Sequence, residues 1–329
     1  MPIDIVLPWV DGNDPEWQKI KQSYKSSGDE REERYRDFGL LKYWFRGIEH
    51  CMPWVRTIHF VTMNQVPEWL NTDHPKLHLV DHKDYMPEDC LPTFNSSAIE
   101  MNFHRIEGLS EQFILFNDDM YVLKTVKEEK FFQNVLPVDM LALQPVVANE
   151  SNEVMSYMYL NNSIIIARHF RKMETMRAFP NAYFTHSYPL KHQIYNRLEK
   201  LWPRYTGFFT AHGPSPLLKS TLQRLWEIEP EALSVTSHNR FRSKEDVNQY
   251  LIREYQKQTG KFVSSNILRG FQYFDVDKDW QKIMDCLHKR SATVICINDG
   301  NSPIHFEEAK EELTKAFERL YPSKSTFEK

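Results

Sequence analysis

Apolar runs alternate along the chain with segments of mixed polarity. The first run, Ile3–Leu7, predicts a buried strand that ends at Pro8, and the Asp11–Pro15 segment that follows is typical of a turn. Comparable runs predict further strands at Thr57–Thr62, Leu77–Val80, Gln112–Phe116 and Thr293–Ile297.

Apolar residues at helical spacing lie between these strands. Leu41, Trp44, Phe45 and Ile48 predict one helix, with Asp37 near its N-terminus. Other helices are predicted around Ile99, Phe103 and Ile106, at Leu217–Ile228 and Val247–Tyr255, and at the C-terminus through Phe306, Ala309, Leu313, Phe317 and Leu320.

This alternation predicts an α/β fold, a Rossmann-like and mostly parallel sheet flanked by helices, in which ligands bind at the carboxyl ends of the strands. We expect one catalytic domain over residues 1–329. It would have an N-terminal half at 1–123, a helical and aromatic-rich insertion at 124–205, and a C-terminal part at 206–329.

Composition excludes several classes of function. The 41 basic and 45 acidic residues give a net charge of −4, which offers no electrostatic footprint for nucleic acid. No apolar stretch approaches the roughly 20 residues that span a bilayer. The four cysteines lack the spacing of a zinc site, and no glycine-rich phosphate loop is present. We therefore expect a cytoplasmic protein that contacts the inner face of the membrane at most peripherally.

The acidic segment Asn117-Asp118-Asp119 lies where an apolar strand meets its loop. Oxygen ligands at such a point can hold Mg²⁺ or Mn²⁺ against a diphosphate, so Asp118 and Asp119 are candidate metal ligands and Asn117 a candidate substrate contact. A solvated turn or a helix cap is the alternative, since paired aspartates often serve those roles.

The first strand supplies a second polar group, in which Trp9 could stack on a base and Asp11 could accept hydrogen bonds from a sugar. For Asp11, a turn is the alternative. Asp4 is unusual because it lies within an apolar strand, and a buried carboxylate needs a partner. Asp4 therefore has either a structural partner or a role in the site.

Imidazole and guanidinium groups follow in the C-terminal part. His212 lies in a stiff, proline-rich loop that can hold a general base, and the segment His238–Ser243 adds Arg240 and Arg242 as candidate ligands of diphosphate oxygens. Ordinary polar surface is the alternative for each of these residues.

Weaker candidates lie beside predicted element ends. Asn298 and Asp299 repeat the strand-then-Asn-Asp pattern in Asn298-Asp299-Gly300, and Arg36 and Asn95 lie in Arg34-Tyr35-Arg36-Asp37 and Thr93-Phe94-Asn95-Ser96. Turn formation and helix capping are the alternatives.

Taken in order, the blocks resemble the four conserved regions of the Stealth family. The blocks are IDIVLPWVDGNDPEW, RYRDFGLLKYWFRGIE, LPTFNSSAIE with HRIEGLSEQFILFNDD, AHGPSPLLKSTLQRLWEIEPEAL with HNRFRSKED, and VICIND. That family contains bacterial capsular and surface polysaccharide phosphotransferases and is similar in its core to the animal enzyme that adds GlcNAc-1-phosphate to lysosomal glycoproteins. The short chain resembles its compact bacterial members.

The resemblance implies the transfer of a hexose-1-phosphate from a nucleotide sugar, such as a UDP-sugar, to a hydroxyl of a saccharide or lipid-linked oligosaccharide, with release of the nucleoside monophosphate. We expect a glycosyltransferase-like fold in which Asp118 and Asp119 hold either Mg²⁺ or Mn²⁺ as a cofactor or the hydroxyls of the sugar. The family's functional positions fall on Asp4, Asp118, Asp119, His212 and Arg242, with Asp299 as an addition. Separately, His238 in the segment before Arg242 is a candidate substrate contact. The alternatives are a conventional glycosyltransferase that releases UDP and a non-catalytic carbohydrate-binding subunit.

Overall fold

The computed structural model describes residues 1–24, 35–150, 152–299 and 306–329. The strands are β1 Ile3–Pro8, β2 Ile58–Thr62, β3 Leu77–Asp81, β4 Gln112–Leu115, β5 Met120–Val122, β6 Phe132–Gln133, β7 Leu136–Asp139, β8 Ser215–Leu218, β9 Val263–Ser264, β10 Phe271–Asp275 and β11 Val294–Asn298. The helices are α1 Pro15–Ser23, α2 Leu41–Cys51, α3 Ser96–Glu100, α4 Glu153–His169, α5 Lys172–Ala178, α6 Pro180–Tyr183, α7 Leu190–Leu198, α8 Lys219–Ile228, α9 Pro230–His238, α10 Tyr250–Gln258, α11 Val276–Lys289 and α12 Phe306–Leu320.

The central sheet has the strand order β3-β2-β1-β4-β8. Strands β1 to β4 are parallel to one another, and β8 runs antiparallel to β4 with Leu115 opposite Ser215. The predicted α/β class and the mostly parallel sheet are confirmed.

Helices cover both faces of this sheet because successive strand side chains point to opposite sides. Ile5 and Leu7 of β1 join a buried cluster with α2 and α12, whereas Val6 joins a second cluster with α8 and α10. The predicted apolar faces are therefore buried, including Trp44 of α2 and Phe317 of α12.

A smaller sheet, with the order β10-β11-β5, continues from the end of β4. Strand β11 is parallel to β10 and antiparallel to β5, with Cys296 opposite Met120. The Ile297 amide also donates to the Asp119 carbonyl at 2.9 Å. The carboxyl end of β11 consequently meets the chain where it leaves β4.

Residues 124–205 contain the helices α4 to α7 and the short strands β6 and β7, in agreement with the helical, aromatic-rich character expected there. Strand β7 pairs in parallel with β9 and antiparallel with β6. Residues Ser163–Ala167, an apolar segment of the sequence, lie within α4.

Several predicted boundaries were wrong. The expected helix through Ile99 and Phe103 is the short α3 followed by a 3₁₀ turn, and the Asn102 side chain donates to the Ala98 carbonyl there. Such a side-chain bond competes with helix continuation. Leu217 belongs to β8 rather than to a helix because it pairs with Phe113.

Helix α1 was not predicted, since its first residues were interpreted as turn chemistry only. Asp14 in fact caps this helix, and its carboxylate accepts from the Glu16 and Trp17 amides. Proline at the first helical position is compatible with this start because its missing N–H would have had no partner. The same residue types serve turns and helix starts, so the sequence alone did not separate them.

Asp4 is fully buried in β1 and has structural partners. Arg56 binds both of its carboxylate oxygens, the His59 Nε2 lies 3.1 Å from Oδ2, and the Ser110 amide donates to Oδ2 at 2.8 Å. Although burial opposes ionisation, the hydrogen bonds from His59, Arg56 and Ser110 outweigh it and lower the Asp4 pKa to about 2. This carboxylate joins β1, β2 and the chain before β4.

We expect Asp4→Ala to lower the free energy of unfolding by about 2–4 kcal/mol, because it leaves buried donors without an acceptor. Urea denaturation at pH 7 measures this loss. The difference in the free energy of unfolding between the variant and the unchanged protein should narrow as the pH falls from 3.8 towards 2, because Asp4 becomes protonated there.

Asp11→Ala is the matched control, since the Asp11 carboxylate accepts only from the Asn13 amide in an exposed turn among the bonds that the structure shows. A folded Asp4→Ala protein should retain its turnover. A large loss of turnover without a loss of stability would contradict the structural role.

Candidate active site

A cavity of about 590 Å³ lies where four strand ends converge. The carboxyl ends of β1, β4 and β11 reach it, in accordance with the rule for ligand sites in open α/β sheets. Because β8 is antiparallel, its amino end lies at the same edge, and the loop before it carries His212 into the cavity.

The structure brings together many of the residues that the sequence singled out. Those that line the cavity are Trp9, Arg36, Asn117, Asp118, Asp119, His212, Arg242, Asn298 and Asp299. Arg34 and Gly300, which belong to the same motifs, lie outside the described residues.

His212 is held between two partners. Its Nε2 lies 3.3 Å from Asp119 Oδ2, and its Nδ1 lies 3.1 Å from the Tyr250 hydroxyl. If Nε2 carries the proton and donates to Asp119, Nδ1 keeps the lone pair and accepts from Tyr250. Cys296 Sγ also contacts Asp119 Oδ2, at 3.1 Å.

Asp119 determines the protonation of this imidazole. Burial disfavours the charged form of His212, but the hydrogen bond to Asp119 and its negative charge outweigh burial and raise the His212 pKa above its ordinary value of 6.5. The pair resembles the carboxylate and imidazole of hydrolase active sites, where the carboxylate fixes the tautomer of the base.

Two further carboxylates, Asp37 and Asp118, are crowded beside this pair. Burial and the charges of Asp119 and Asp37 raise the pKa of Asp118 well above its usual range. Burial likewise raises the Asp37 pKa, although Asp37 accepts from Trp9 Nε1 at 3.3 Å and from the Gly39 amide at 2.7 Å. Such crowding favours a bound cation, which would offset the repulsion.

The donor set fits a divalent cation in part. Asp119 Oδ1 is buried and has no hydrogen-bond partner among the described residues, so it can accept a metal ion. With Asp118 it offers the oxygen ligands that Mg²⁺ prefers. Asp119, His212 and Cys296 also offer three ligand atoms within 4.8 Å, a mixed set that is better suited to a transition metal.

Arg242 enters the cavity from the segment after α9. It donates to Ser96 Oγ at 2.6 Å, and its charge acts on Glu100, which also lines the cavity. Burial raises the Glu100 pKa to about 7, against the charge of Arg242 and a bond from the Gln249 amide. Glu100 is thus able to exchange a proton near neutral pH.

Sequence reasoning missed Glu100 and Tyr250. Glu100 carried a usable signal, because it is an acid between the apolar residues Ile99 and Met101, and an unpartnered acid in such a run needs explanation. Tyr250 carried none, since a tyrosine at the start of an amphipathic helix is ordinary core material.

The last acidic motif is paired with a cation. Arg36 Nε donates to Asp299 Oδ2 at 2.7 Å, and the Arg36 guanidinium lies 4.8 Å from the Phe306 ring centroid. Trp9 stacks on Phe60 at a centroid distance of 5.5 Å. This arrangement fixes Trp9 and Arg36 at the cavity wall.

Five of the predicted site residues lie away from the cavity lining. Asp4 is one strand length, about 13 Å, from the carboxyl end of β1, and its carboxylate is satisfied there by Arg56 and His59. Asp11 closes its turn with Asn13. Asp4 and Asp11, which were predicted as substrate contacts, therefore lie outside the cavity lining.

Asn95, His238 and Arg240 also lie outside the cavity lining. Asn95 is buried and caps α3, with Nδ2 donating to Asp246 at 2.9 Å. His238 is a surface residue whose Nε2 lies 3.1 Å from Asp89. Arg240 donates to the Leu91 carbonyl at 3.2 Å. Asn95 Nδ2 also donates to the Asn239 carbonyl at 3.0 Å, which ties α3 to the segment that carries Arg242.

Models of the four conserved regions of Stealth proteins match the chain in order. Conserved region 1 matches residues 1–29, region 2 matches 34–138, region 3 matches 211–250 and region 4 matches 285–329. A capsular polysaccharide phosphotransferase, WcwK of Streptococcus pneumoniae, is 38% identical over 99% of this chain and 98% of its own. The chain belongs to the Stealth family.

Other relatives match the Stealth chain over a similar length. The receptor polysaccharide phosphotransferase WefC of Streptococcus gordonii is 38% identical over 99% of this chain and 98% of its own. The exopolysaccharide phosphotransferase cps2G of Lactiplantibacillus plantarum is 37% identical over 99% and 96%. The prediction of an enzyme of the phosphotransferase class is confirmed.

Among solved structures, the galactosyltransferase LgtC, in complex with donor and acceptor sugar analogues, aligns with a TM-score of 0.39 at 10% identity over 96% of each chain. An active-site mutant of LgtC aligns with a TM-score of 0.42 at 12% identity, over 98% of this chain and 96% of its own.

In the described part of this Stealth chain, no helix has the length and apolar character needed to cross a membrane.

The His212 pKa provides a direct test of the geometry. We expect a value above 6.5 in the unchanged protein and a lower one in Asp119→Asn, because the variant loses the carboxylate charge that favours the imidazolium. An NMR titration of labelled histidine measures both, with the His212 signal assigned by its absence in His212→Gln.

Asp118→Asn is the control, since Asp118 is not among the leading causes of the shift in the His212 pKa. Equal shifts in the two variants, or a pKa below 6.5 in the unchanged protein, would contradict the assigned contact.

Proposed function

We propose that this Stealth protein transfers a hexose-1-phosphate, such as GlcNAc-1-phosphate, GalNAc-1-phosphate or galactose-1-phosphate, from a UDP-sugar to a saccharide hydroxyl. The product is a phosphodiester in a capsular or cell-surface polysaccharide. The observation that supports it most is the Asp119–His212–Tyr250 arrangement, which lines the same cavity as Arg242. The relatives are named as polysaccharide phosphotransferases, which agrees with this chemistry.

In the proposed reaction, the acceptor oxygen attacks the β-phosphorus in line. The bond between that phosphorus and the bridging oxygen of UMP breaks, UMP leaves, and the acceptor proton passes to His212. Such transfers depend mainly on positioning and charge stabilisation.

His212 is the proposed general base. Asp119 holds the proton on Nε2, so Nδ1 is the nitrogen that receives the proton of the acceptor hydroxyl. The Tyr250 hydroxyl donates to Nδ1 in this structure, so the acceptor hydroxyl takes that position only when the Tyr250 hydroxyl is displaced from it. The pKa of Tyr250 is raised well above its usual range, chiefly by burial, so its hydroxyl remains protonated.

Arg242 is the proposed ligand of the diphosphate. Its contact with Ser96 orients the guanidinium in the cavity, where two parallel N–H groups can bind phosphate oxygens. Arg36 carries a second positive charge on the cavity wall. Asn117, Asn298 and Trp9 offer hydrogen-bonding and stacking groups for the nucleotide and sugar.

Asp118 and Asp119 are the proposed residues that hold Mg²⁺ or Mn²⁺. When bound, the cation supplies charge neutralisation to the diphosphate. We expect EDTA to abolish turnover and added Mg²⁺ to restore it. Turnover that resists the chelator would instead assign the two carboxylates to the sugar hydroxyls.

The donor and the acceptor are also part of the proposal. A lipid-linked oligosaccharide in the cytoplasmic leaflet is an acceptor that a cytoplasmic enzyme can reach by peripheral contact with the membrane and its assembly machinery. A soluble oligosaccharide carries the same hydroxyl chemistry and serves as the acceptor in assays.

The decisive assay uses a UDP-sugar labelled on its β-phosphate together with an oligosaccharide acceptor. We expect the label to appear in the acceptor and UMP to be released. Release of UDP would indicate a conventional glycosyltransferase, and no turnover across a panel of donors would indicate a carbohydrate-binding subunit.

Paired variants tie that turnover to the cavity. His212→Ala should reduce turnover at least ~100-fold if it removes the general base, and Arg242→Ala should reduce it about 100-fold or more if it removes transition-state charge stabilisation. His238→Ala and Arg240→Ala are the matched controls and should remain near the unchanged rate, because neither residue lines the cavity. An equal loss of turnover in His212→Ala and His238→Ala would contradict the role of His212, and an equal loss in Arg242→Ala and Arg240→Ala would contradict the role of Arg242.

A further inference from the structure

Helix α7 buries polar residues and exposes apolar ones, which is the reverse of an ordinary surface helix. Its polar residues His192 and Asn196 are buried, and the turn that follows buries Glu199. Its apolar residues face outward instead. Surface helices normally bury their apolar stripe, so this arrangement indicates a surface that meets something other than water.

Specific polar bonds lock this orientation. Asn196 Nδ2 donates to the carbonyls of Leu141 at 2.9 Å and Tyr183 at 2.7 Å, and its Oδ1 accepts from the Leu143 amide at 2.8 Å. Glu199 is paired with the buried Lys172. Rotating the helix to bury its apolar side would leave these groups unpaired, which is costly.

The outward side presents a continuous series of large apolar residues. Their exposed fractions range from 46% to 74%, and they recur at helical spacing before ending on an indole. They are Leu190, Ile194, Leu198, Leu201 and Trp202. Tryptophan and leucine on such a side are typical of helices that lie in a membrane interface.

Positive charge surrounds these residues. Lys191, Arg197, Lys200 and Arg204 are exposed, whereas the single acid within residues 186–206, all of which the structure describes, is the buried Glu199. The whole chain has a net charge of −4, so this local excess of cations is not a general property of the protein. Exposed Lys and Arg beside an apolar stripe attract anionic lipid headgroups.

We propose that the surface formed by Leu190–Arg204 binds peripherally to an anionic lipid bilayer. The apolar side chains enter the boundary between headgroups and acyl chains, and the basic side chains contact the phosphates. Residues 205–211 join this surface to His212, and Phe208 pairs with Leu143 on the way. The surface and the cavity are thus connected through a short ordered segment.

The proposal is tested by flotation with vesicles of phosphatidylcholine, with and without phosphatidylglycerol. We expect the full-length protein to float with the anionic vesicles and to be released by high salt. The double variants Leu201→Ser/Trp202→Ser and Lys200→Glu/Arg204→Glu should each lower the bound fraction at least ~10-fold.

Val66→Ser/Val235→Ser is the matched control, because both residues are exposed apolar residues outside this surface, at 46% and 43%. It should bind as the unchanged protein does. All variants should keep the same thermal unfolding midpoint and the same turnover on a soluble acceptor, since none of the substituted residues lines the cavity. Vesicle binding is measured without substrates, so its failure is distinct from a failure of the proposed reaction.

Three results would overturn the proposal. The first is that the unchanged protein does not float with the vesicles. The second is that the Leu201→Ser/Trp202→Ser and Lys200→Glu/Arg204→Glu variants bind the vesicles as well as the unchanged protein does. The third is a dimer in light scattering that dissociates in the Leu201→Ser/Trp202→Ser variant, which would assign the surface to a second copy of the chain.

Discussion

The contact between Asp119 and His212 is the constraint on which the rest of the site depends. Asp119 belongs to the chain that leaves β4, and His212 to the loop that enters β8, so their 3.3 Å approach requires the antiparallel pairing of these neighbouring strands. The same carboxylate contacts Cys296 of β11, whose pairing with β5 extends the fold beyond the central sheet. One partly exposed side chain, that of Asp119, therefore joins two sheets and orients the candidate base.

Acidic and basic side chains occupy different parts of the cavity around that contact. Asp37, Asp118 and Asp119 crowd one side of the cavity and raise the pKa of Asp118, whereas Arg242 enters with Glu100 beside it. A site with separate acidic and basic regions can hold a cation and a diphosphate together, provided that water is displaced. A lone carboxylate pair on a solvated turn would not raise a carboxyl pKa in this manner.

Local patterns predicted the strands and the acids at their ends. The apolar run before Asn117 and the register of parallel strands are enough to place Asp118 and Asp119 near Trp9, because carboxyl ends share an edge. The direction of β8 was not predictable, since Ser215 and Pro216 were interpreted as a loop and Leu217 and Leu218 as the start of a helix. Without that direction, nothing in the sequence brings His212 to the same edge.

Arg240 and Arg242 are two positions apart in the sequence, but the packing of the residue between them directs their side chains to different places. Phe241 stacks on Phe94 at 5.2 Å and anchors the segment, so that Arg240 reaches the Leu91 carbonyl while Arg242 reaches the cavity. The structural role of Asp4 was likewise not predictable, because its partner Arg56 lies fifty-two positions away in the sequence. The family resemblance ordered the blocks along the chain, but only the packing showed which side chain of each block faces the ligand.

The most direct test of the central claim follows one oxygen atom. A UDP-sugar that carries ¹⁸O between the anomeric carbon and the β-phosphorus is incubated with the protein and an oligosaccharide acceptor, and the products are weighed by mass spectrometry. Attack at phosphorus, as proposed, leaves the ¹⁸O in the phosphodiester product and releases unlabelled UMP. Recovery of the ¹⁸O in released UDP would show attack at carbon and would contradict the account.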